Sequence, residues 1–408
     1  MTQRKIPAVY MRGGTSKGVF FLRDSLPTDP GLRDSILLRV IGSPDAHGKH
    51  TDGMGGGTSS TSKVVLVSPS TREDCDVDYL FGQVSIGKPV IDWSGNCGNL
   101  TSAVGPFAIT QGLVKVPADG NATVRIWQAN IKEKIDAHVP MANGEVVEGG
   151  NFNLDGVAFP AAEIRLDFLD PDPADGEEGR RGSIFPTGSV RSNLNVPGLG
   201  DLDVTMICAG NPTIFIDASQ LGLRGNEMQS DVNTDSALLD RCETIRAHAA
   251  VCMGLAKSPE EATSIRPHTP KLAFVAKPAA YVASDGRSVS MTDMDLNARI
   301  ISMGKLHHAM TGTGAIAIAV AAALPGTLVN SLLDCTQRDE QCCVVVTEVR
   351  FGHPSGVTTV RAEAKQREGE WVVTKASMSS SARRLMEGWV LVPDPESEHL
   401  AVACETTR

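Results

Sequence analysis

The sequence predicts an α+β protein of two similar, pseudo-symmetric lobes, each a β-sheet wrapped around a central helix built mainly of small residues. Three observations predict it. The chain has 408 residues, more than one hydrophobic core usually sustains, so two domains are expected. Its 40 Gly and 23 Pro, against an aromatic fraction of 4%, suit a turn-rich mixture of strands and helices rather than a helical bundle. In each half, strands lead into a Gly-containing turn and then a helix dense in Ala, Gly, Ile and Val, at 100–113 and again at 313–323. No repeat with a period of about 20–50 residues accompanies this pattern, so the duplicated unit is a large one.

The elements follow in order. Residues 7–21 read as two apolar strands joined by the turn Gly13-Gly14-Thr15-Ser16. Asp29-Pro30 supplies a cap and first turn for a helix to Ile41, whose Leu32, Ile36, Leu37 and Val40 recur at helical spacing. Residues 51–63 form a loop of Gly, Ser and Thr that feeds the β-branched strand 64–67. Strands at 77–86 and 90–93 run into Ser94-Gly-Asn-Cys97-Gly-Asn99, which puts Asn96 to Asn99 at the N-terminus of the first central helix. Strands at 122–128, 137–139 and 164–168 precede a polar surface loop at 170–182. Residues 184–188 read as the crossing between lobes, giving an N-terminal lobe of 1–188, completed by about 379–408, and a C-terminal lobe of 189–378. The second lobe shows strands at 202–208 and 213–217, a helix at 238–253, a buried strand at 272–276, and the helix opened by Met310-Thr-Gly-Thr-Gly314. Strand patterns return at 343–351, 358–363 and 371–378, while 382–388 is too short to assign.

Charge and cysteine usage exclude several function classes. A net charge of −10 and the lack of any Lys/Arg-rich run argue against nucleic acid. A few cations and helix N-termini converging in one cleft would still suit an anionic substrate. No apolar stretch approaches the span of a bilayer and the start of the chain lacks the apolar region of a signal peptide, so no membrane partner and a cytoplasmic location are expected. Nine cysteines without a C-x-x-C pair read as reduced thiols. Cys75, Cys208, Cys242, Cys252, Cys335, Cys342, Cys343 and Cys404 are taken as core fillers. No cofactor or metal is expected: there is no G-x-G-x-x-G after a strand, no P-loop and no tight His/carboxylate set, and residues 53–57 lack dinucleotide spacing.

Two residues stand out. Cys97 falls at a helix N-terminus, where the positive dipole end and unpaired N–H groups make a thiol of the reactive kind. Lys63 closes a polar loop and opens an apolar strand, among hydroxyl donors but no carboxylates, where desolvation would bring an ammonium toward useful basicity. A solvated strand-end lysine is the commoner case. Gly98 and Gly105, with Gly312 and Gly314 in the other helix, permit close backbone approach. Two helix N-termini facing one cleft would form an anion receptor.

At Met11-Arg-Gly-Gly-Thr-Ser-Lys-Gly18, Gly53-Met-Gly-Gly-Gly-Thr-Ser-Ser-Thr-Ser-Lys63, Asp92-Trp-Ser-Gly-Asn-Cys-Gly-Asn99 and Met303-Gly-Lys-Leu-His-His308, the chain resembles the PrpF family of 2-methylaconitate cis-trans isomerases. Gly210-Asn-Pro-Thr-Ile-Phe215, His268-Thr-Pro-Lys271 and Phe351-Gly-His-Pro-Ser-Gly356 extend the match nearly end to end. The resemblance implies a diaminopimelate-epimerase-like fold with the active site between the lobes, Lys63 as the base and Cys97 as the nearby thiol. Epimerase relatives use two thiols, one from each lobe; the second-lobe counterpart in this sequence is Thr311, so a two-thiol mechanism is not expected. The implied reaction takes an allylic proton from an unsaturated tricarboxylate such as 2-methyl-trans-aconitate, with no cofactor. Aconitate, methylitaconate and 4-oxalomesaconate are the alternative substrates, and a non-catalytic accessory protein is the alternative class.

Candidates for holding the substrate are Ser16, Lys17, Ser60, Thr61, Asn96 and Gly98 from the first lobe and Lys271, Ser302, His307, Gly312 and Thr313 from the second. Lys271 and His307 match family positions expected to touch substrate. Plainer readings stand beside these: Lys271 as a strand-edge cation, His307 or His308 as a hydrogen-bonded interior histidine, Ser302 as a helix-surface hydroxyl. His47, His50, His248 and His353 are read as structural. The resemblance also suggests propionate breakdown through the methylcitrate route, functional pairing with an aconitase-type methylcitrate dehydratase, and a homodimer.

Overall fold

The computed structural model describes residues 3–170, 184–333, 344–367 and 370–393. One 19-stranded sheet runs through both halves. In the first half its longer strands are β1 (Gln3–Gly13), β2 (Ser16–Leu22), β3 (Lys63–Pro69), β4 (Val77–Val84), β5 (Gly120–Gln128), β6 (Glu133–Ala142) and β7 (Ile164–Leu169), with helix α1 (Pro30–Ile41) after β2 and α2 (Gly98–Thr110) after β4. The second half repeats this with β8 (Ser192–Val196), β9 (Gly200–Ala209), β10 (Asn211–Asp217), α3 (Ser236–Cys252), β11 (Lys271–Ala276), β12 (Leu296–Ser302), α4 (Gly312–Ala323), β13 (Val344–His353), β14 (Gly356–Arg367) and β15 (Glu370–Ser380). The final strand, β16 (Ala382–Pro393), returns to the first half and pairs with β1.

The pairings expose an internal duplication. From β16 through β1 to β7, successive neighbours are antiparallel, antiparallel, parallel, antiparallel, parallel, antiparallel and antiparallel. From β8 to β15 the succession is the same. Strand β3 therefore corresponds to β11, β4 to β12, and helix α2 to α4. The antiparallel ladder between β7 and β15 joins the two halves.

Each central helix is apolar on all sides and so must be enclosed. Helix α2 packs against β1, β2, β5, β6, β7 and β16, and α4 against β9, β10, β13, β14 and β15. Every residue of α4 is buried; its alanines and glycines let the strands close round it. The outer helices cover the opposite faces. As the sequence predicts, Asp29 caps α1 by accepting from the Leu32 N–H and Pro30 takes the first turn; Gly42 ends the helix at φ 85°.

Some expectations need correction. Residues 382–388, left unassigned, belong to the long strand β16; most of its residues are exposed on both faces and its register shifts beside Tyr10 and Met11, so it lacks the alternation that marks a half-buried strand. The strand expected at 137–139 is the middle of the ten-residue β6. Cys75 and Cys242 are buried, but Cys208 is only partly so and Cys252 is exposed at the end of α3, where the helix turns its outer side to solvent. Cys335, Cys342, Cys343, Cys404 and the loop after Asp170 lie outside the described residues. Among the described residues no helix is long and apolar enough to cross a membrane.

Candidate active site

The two central helices begin against one another. A Cβ on Gly98 would lie 2.6 Å from the Gly312 carbonyl carbon and the Thr313 nitrogen, and one on Gly312 would lie 2.5 Å from the Gly98 carbonyl carbon. Only glycine allows that approach. Asn211 stitches the junction: its Oδ1 accepts from the Asn96 N–H at 2.8 Å, while its Nδ2 donates to the Asn96 carbonyl at 2.9 Å and to Thr313 Oγ1 at 3.1 Å. Asn99 Nδ2 donates across to the Met310 carbonyl at 3.2 Å. Two positive dipole ends thus share one spot, an arrangement that favours a bound anion.

The openings differ in their caps. Thr311 Oγ1 accepts from the Gly314 N–H at 3.1 Å and caps α4. Cys97, at the same place on α2, makes no side-chain cap. Its carbonyl accepts from Thr101 Oγ1 at 3.0 Å and Tyr79 Oη at 3.3 Å, which fixes the residue's backbone.

A small pocket lies over this junction, lined by first-half residues Ser16, Ser59, Lys63, Asn96, Cys97, Gly98 and Asn99 and second-half residues His268, Lys271, Ser302, His307, Thr311, Gly312 and Thr313. Lys63 is 5% exposed. Its Nζ donates to Gln83 Oε1 at 2.7 Å and sits 4.9 Å from the centre of the Phe81 ring, and the Cys97 side chain lines the same pocket. Gln83 is held in turn by the carbonyls of Ser59 and Ser62. Burial lowers the pKa of the Lys63 amine, and Cys97 partly offsets the fall.

Lys271 stands on the other side, with Nζ 3.1 Å from His268 Nδ1 and 3.0 Å from Ser302 Oγ. Burial first, and then repulsion from Lys63, bring its pKa down to about 7. His268 and His307 are pushed well below the usual histidine range by burial, and nearby cations add to this, so both rings are neutral. His307 Nδ1 accepts from the Ala309 N–H at 3.1 Å, leaving its proton on Nε2.

Two amines, two helix N-termini and a histidine N–H therefore surround a space that no Asp or Glu lines among the described residues. The buried Asn96 Nδ2 has no hydrogen-bond partner among the described residues, and an unmet buried donor in such a lining calls for an acceptor. The nearby carboxylate of Asp92 is occupied by the backbone N–H groups of Ser94 and His268, each at 2.8 Å.

Of the residues expected from sequence, Lys63, Cys97, Ser16, Asn96, Gly98, Lys271, Ser302, His307, Gly312 and Thr313 meet in this cavity, while Lys17, Ser60 and Thr61 fall outside its lining. Side chains alternate along a strand, so the neighbour of inward Ser16 turns away, and the Lys17 amine lies 5.4 Å from the centre of the Tyr10 ring. Ser60 and Thr61 belong to a turn in which both hydroxyls bond Thr58 Oγ1, at 3.0 and 2.7 Å. Ser302 ends a strand and is buried, rather than standing on a helix surface. Sequence reasoning gave no site role to Gln83, His268, Ser59 or Asn211. His268 lay within a quoted motif and its spacing to Lys271 was a usable signal; Gln83 carried none, because its role depends on strand pairing.

The chain is 57% identical to the 2-methyl-aconitate isomerase of Shewanella oneidensis over 400 residues, covering 96% of this chain and 98% of that protein. It is also 57% identical over 398 residues, with the same coverage, to the 2-methyl-aconitate isomerase of Cupriavidus necator. Among solved structures, a methylitaconate-delta-isomerase superposes with a TM-score of 0.72 at 38% identity, covering 96% of each chain. The fold is accordingly the diaminopimelate-epimerase-like one that the motifs imply. With the family model described as "PrpF protein" matching residues 3–393, the chain belongs to the PrpF family.

Proposed function

We propose that the protein is an isomerase of unsaturated tricarboxylates, converting 2-methyl-trans-aconitate to 2-methyl-cis-aconitate by proton transfer, with Lys63 and Cys97 as its catalytic residues. The observation that carries this reading is the meeting of Lys63 and Cys97 in one pocket, which no Asp or Glu lines among the described residues, over two opposed helix N-termini. A neutral Lys63 takes an allylic proton; the C–H electron pair enters the conjugated system and spreads to a substrate carboxylate as a dienolate. The former double bond gains single-bond character and turns. The proton returns from the Lys63 ammonium or the Cys97 thiol, and the carbon that receives it decides between a cis-trans and a double-bond-shifted product.

The developing charge needs donors that are already in place, and each such donor is worth about 2.7–4 kcal/mol of barrier. The N–H groups at the openings of α2 and α4, Asn96 Nδ2, Ser16, Ser302, Thr313, His307 and Lys271 are suited to that role. We read the lobes as 1–188, completed by the C-terminal strand, and 189–378; the repeated order of pairings supports this division. Its nine cysteines without a C-x-x-C pair support a reducing, cytoplasmic setting. The same reading sets the enzyme in the methylcitrate route, beside an aconitase-type dehydratase, and leaves a homodimer as an arrangement to be measured.

The experiment is incubation with 2-methyl-trans-aconitate, aconitate, methylitaconate and 4-oxalomesaconate in separate samples, followed by proton NMR. Conversion of the first at the highest kcat/KM is the expected result. Preference for another acid would reassign the substrate, and turnover of none would favour an accessory protein.

A further inference from the structure

The two halves supply their lysines with different companions. Lys63 and Lys271 open corresponding strands, and each donates to a residue of the next antiparallel strand, Gln83 and Ser302. Cys97 lines the pocket beside Lys63. In the second half Thr311 holds the thiol's place and caps its helix, and the further partner of Lys271 is His268, three residues before it.

We infer that His268 is the positioning residue of Lys271: a neutral imidazole that holds the amine by the lone pair of Nδ1 and ties it to the opening of α2. The tautomer follows from the partners. His268 Nε2 lies 3.2 Å from the Asn96 carbonyl oxygen, which only accepts, so Nε2 carries the proton and Nδ1, 3.1 Å from Lys271 Nζ, is the acceptor. The ring is fixed from behind by its backbone N–H on Asp92 Oδ2 at 2.8 Å and by packing against Phe81, with ring centres 5.4 Å apart. Gly95 completes the fit, since a Cβ there would stand 2.9 Å from His268 Cδ2. Because Asn96 precedes Cys97, the imidazole spans from the amine of one half to the thiol's loop in the other.

The choice of a lone pair over a carboxylate has a chemical consequence. A carboxylate would lock Lys271 as an ammonium; an imidazole Nδ1 accepts a hydrogen bond from either form and lets the amine change its proton near neutral pH. The charged and titratable groups bearing on the pair are Lys63, Asp92, Cys97, Arg246 and Arg266. Arg246 is itself paired with Glu243 and Arg266 bonds Thr269 Oγ1, so Lys63 is the cation that bears most on Lys271.

What Lys271 then does to substrate rests on the isomerase reading; that His268 governs the amine does not. The test is NMR titration of the Lys271 amine in full-length, substrate-free protein with ε-labelled lysine, the signal assigned by its loss in K271R. In wild type the amine is expected to titrate near 7. H268D should move it up by about 1–3 pH units, the effect of an opposite charge in contact. H268L, which removes the acceptor, should move it down, and H268N, whose Oδ1 can stand in for Nδ1, should restore it toward wild type. The neutral-pH limb of kcat/KM should follow the amine in each variant, with H268L losing up to about 100-fold through misplacement. An amine titrating at one pH in wild type, H268L and H268N overturns the inference, and this comparison decides the matter even where H268D does not fold. Absence of turnover in wild type would strike the isomerase reading alone, because the titration is read without substrate.

Discussion

Lys63 and Lys271 are counterparts in a duplicated unit: each is the first residue of its strand, each is buried, and each donates to a side chain of the next antiparallel strand, Gln83 at 2.7 Å and Ser302 at 3.0 Å. The symmetry ends at the helix openings, where one half presents Cys97 and the other Thr311. A symmetric anion cradle with an asymmetric pair of proton-handling groups suits a substrate whose two faces must be treated differently.

Lys63→Ala is expected to lower kcat by about 10²–10⁴-fold, the usual contribution of a positioned base. KM should change much less, because the helix N–H groups and Lys271 remain. Steady-state kinetics on the preferred acid, with binding of a saturated tricarboxylate measured by calorimetry, separates the two effects; a variant with wild-type kcat would remove Lys63 from the chemistry.

Cys97→Ser should cost less than Lys63→Ala, since a hydroxyl can still donate to the neighbouring amine while it returns protons less readily. The informative measurement is deuterium incorporation from solvent per product formed. A ratio unchanged from wild type would assign proton return to Lys63.

The pH dependence has a definite sign. On the proposed function Lys271 holds a substrate carboxylate in its ammonium form, and its pKa lies at about 7, so kcat/KM should fall as pH rises through about 7. Activity should also fail on the acid side of the Lys63 pKa, which burial lowers, as that amine takes up its proton. Rate profiles in K271R, whose cation persists at high pH, should lose the alkaline fall and keep the acidic one.

Stability should move in the opposite sense to activity. Lys271 binds its proton more weakly folded than unfolded, with a pKa lowered from 10.5 to about 7. Between those values the unfolded chain holds more protons, so this residue's contribution is fully present above about 10.5, declines as pH falls, and levels off below about 7. Lys271→Met removes the buried amine and should stabilise the fold at pH 7 by about 1–4 kcal/mol, the range found when apolar groups of like volume replace buried charges. Urea titrations of wild type and K271M at pH 7 and 10 check both the gain and its shrinkage at the higher pH.

Gly98→Ala is expected to abolish turnover and to cost about 1–3 kcal/mol or more, because its methyl group would meet backbone rather than a movable side chain. Gly105→Ala, in the middle of the same helix, meets the side chains of Val139 and Ala137 instead and should lose stability while keeping KM. Equal kinetics for the two variants would mean that the helix junction does not shape the site.

Much of this was legible from residues alone. Asp29-Pro30 marked α1, and the small-residue runs marked both central helices, because caps and composition are local signals. Lys63 and Cys97 were legible through their settings: a polar loop meeting an apolar strand, and a cysteine just before a helix. Strand β16 was not, since its pairing with β1 joins the two ends of the described chain and leaves much of it exposed. Lys17, Ser60 and Thr61 show the limit of motif reasoning: a motif marks a stretch of backbone, and strand alternation and turn geometry then decide which of its side chains face inward. Gln83 and His268 matter through partners far along the chain, Lys63 and Asn96, and distance in sequence hides such pairs.

The glycine contact has a mechanical meaning. Where Gly98 meets Gly312 the halves touch backbone to backbone, and side chains of Asn211, Asn99 and His268 bridge the same junction. A junction of bare main chain pinned by buried amide and imidazole groups resists sliding, so the backbone itself sets the spacing of the two helix openings. Lys63 and Cys97, both buried, stand beside that seam in the pocket it floors.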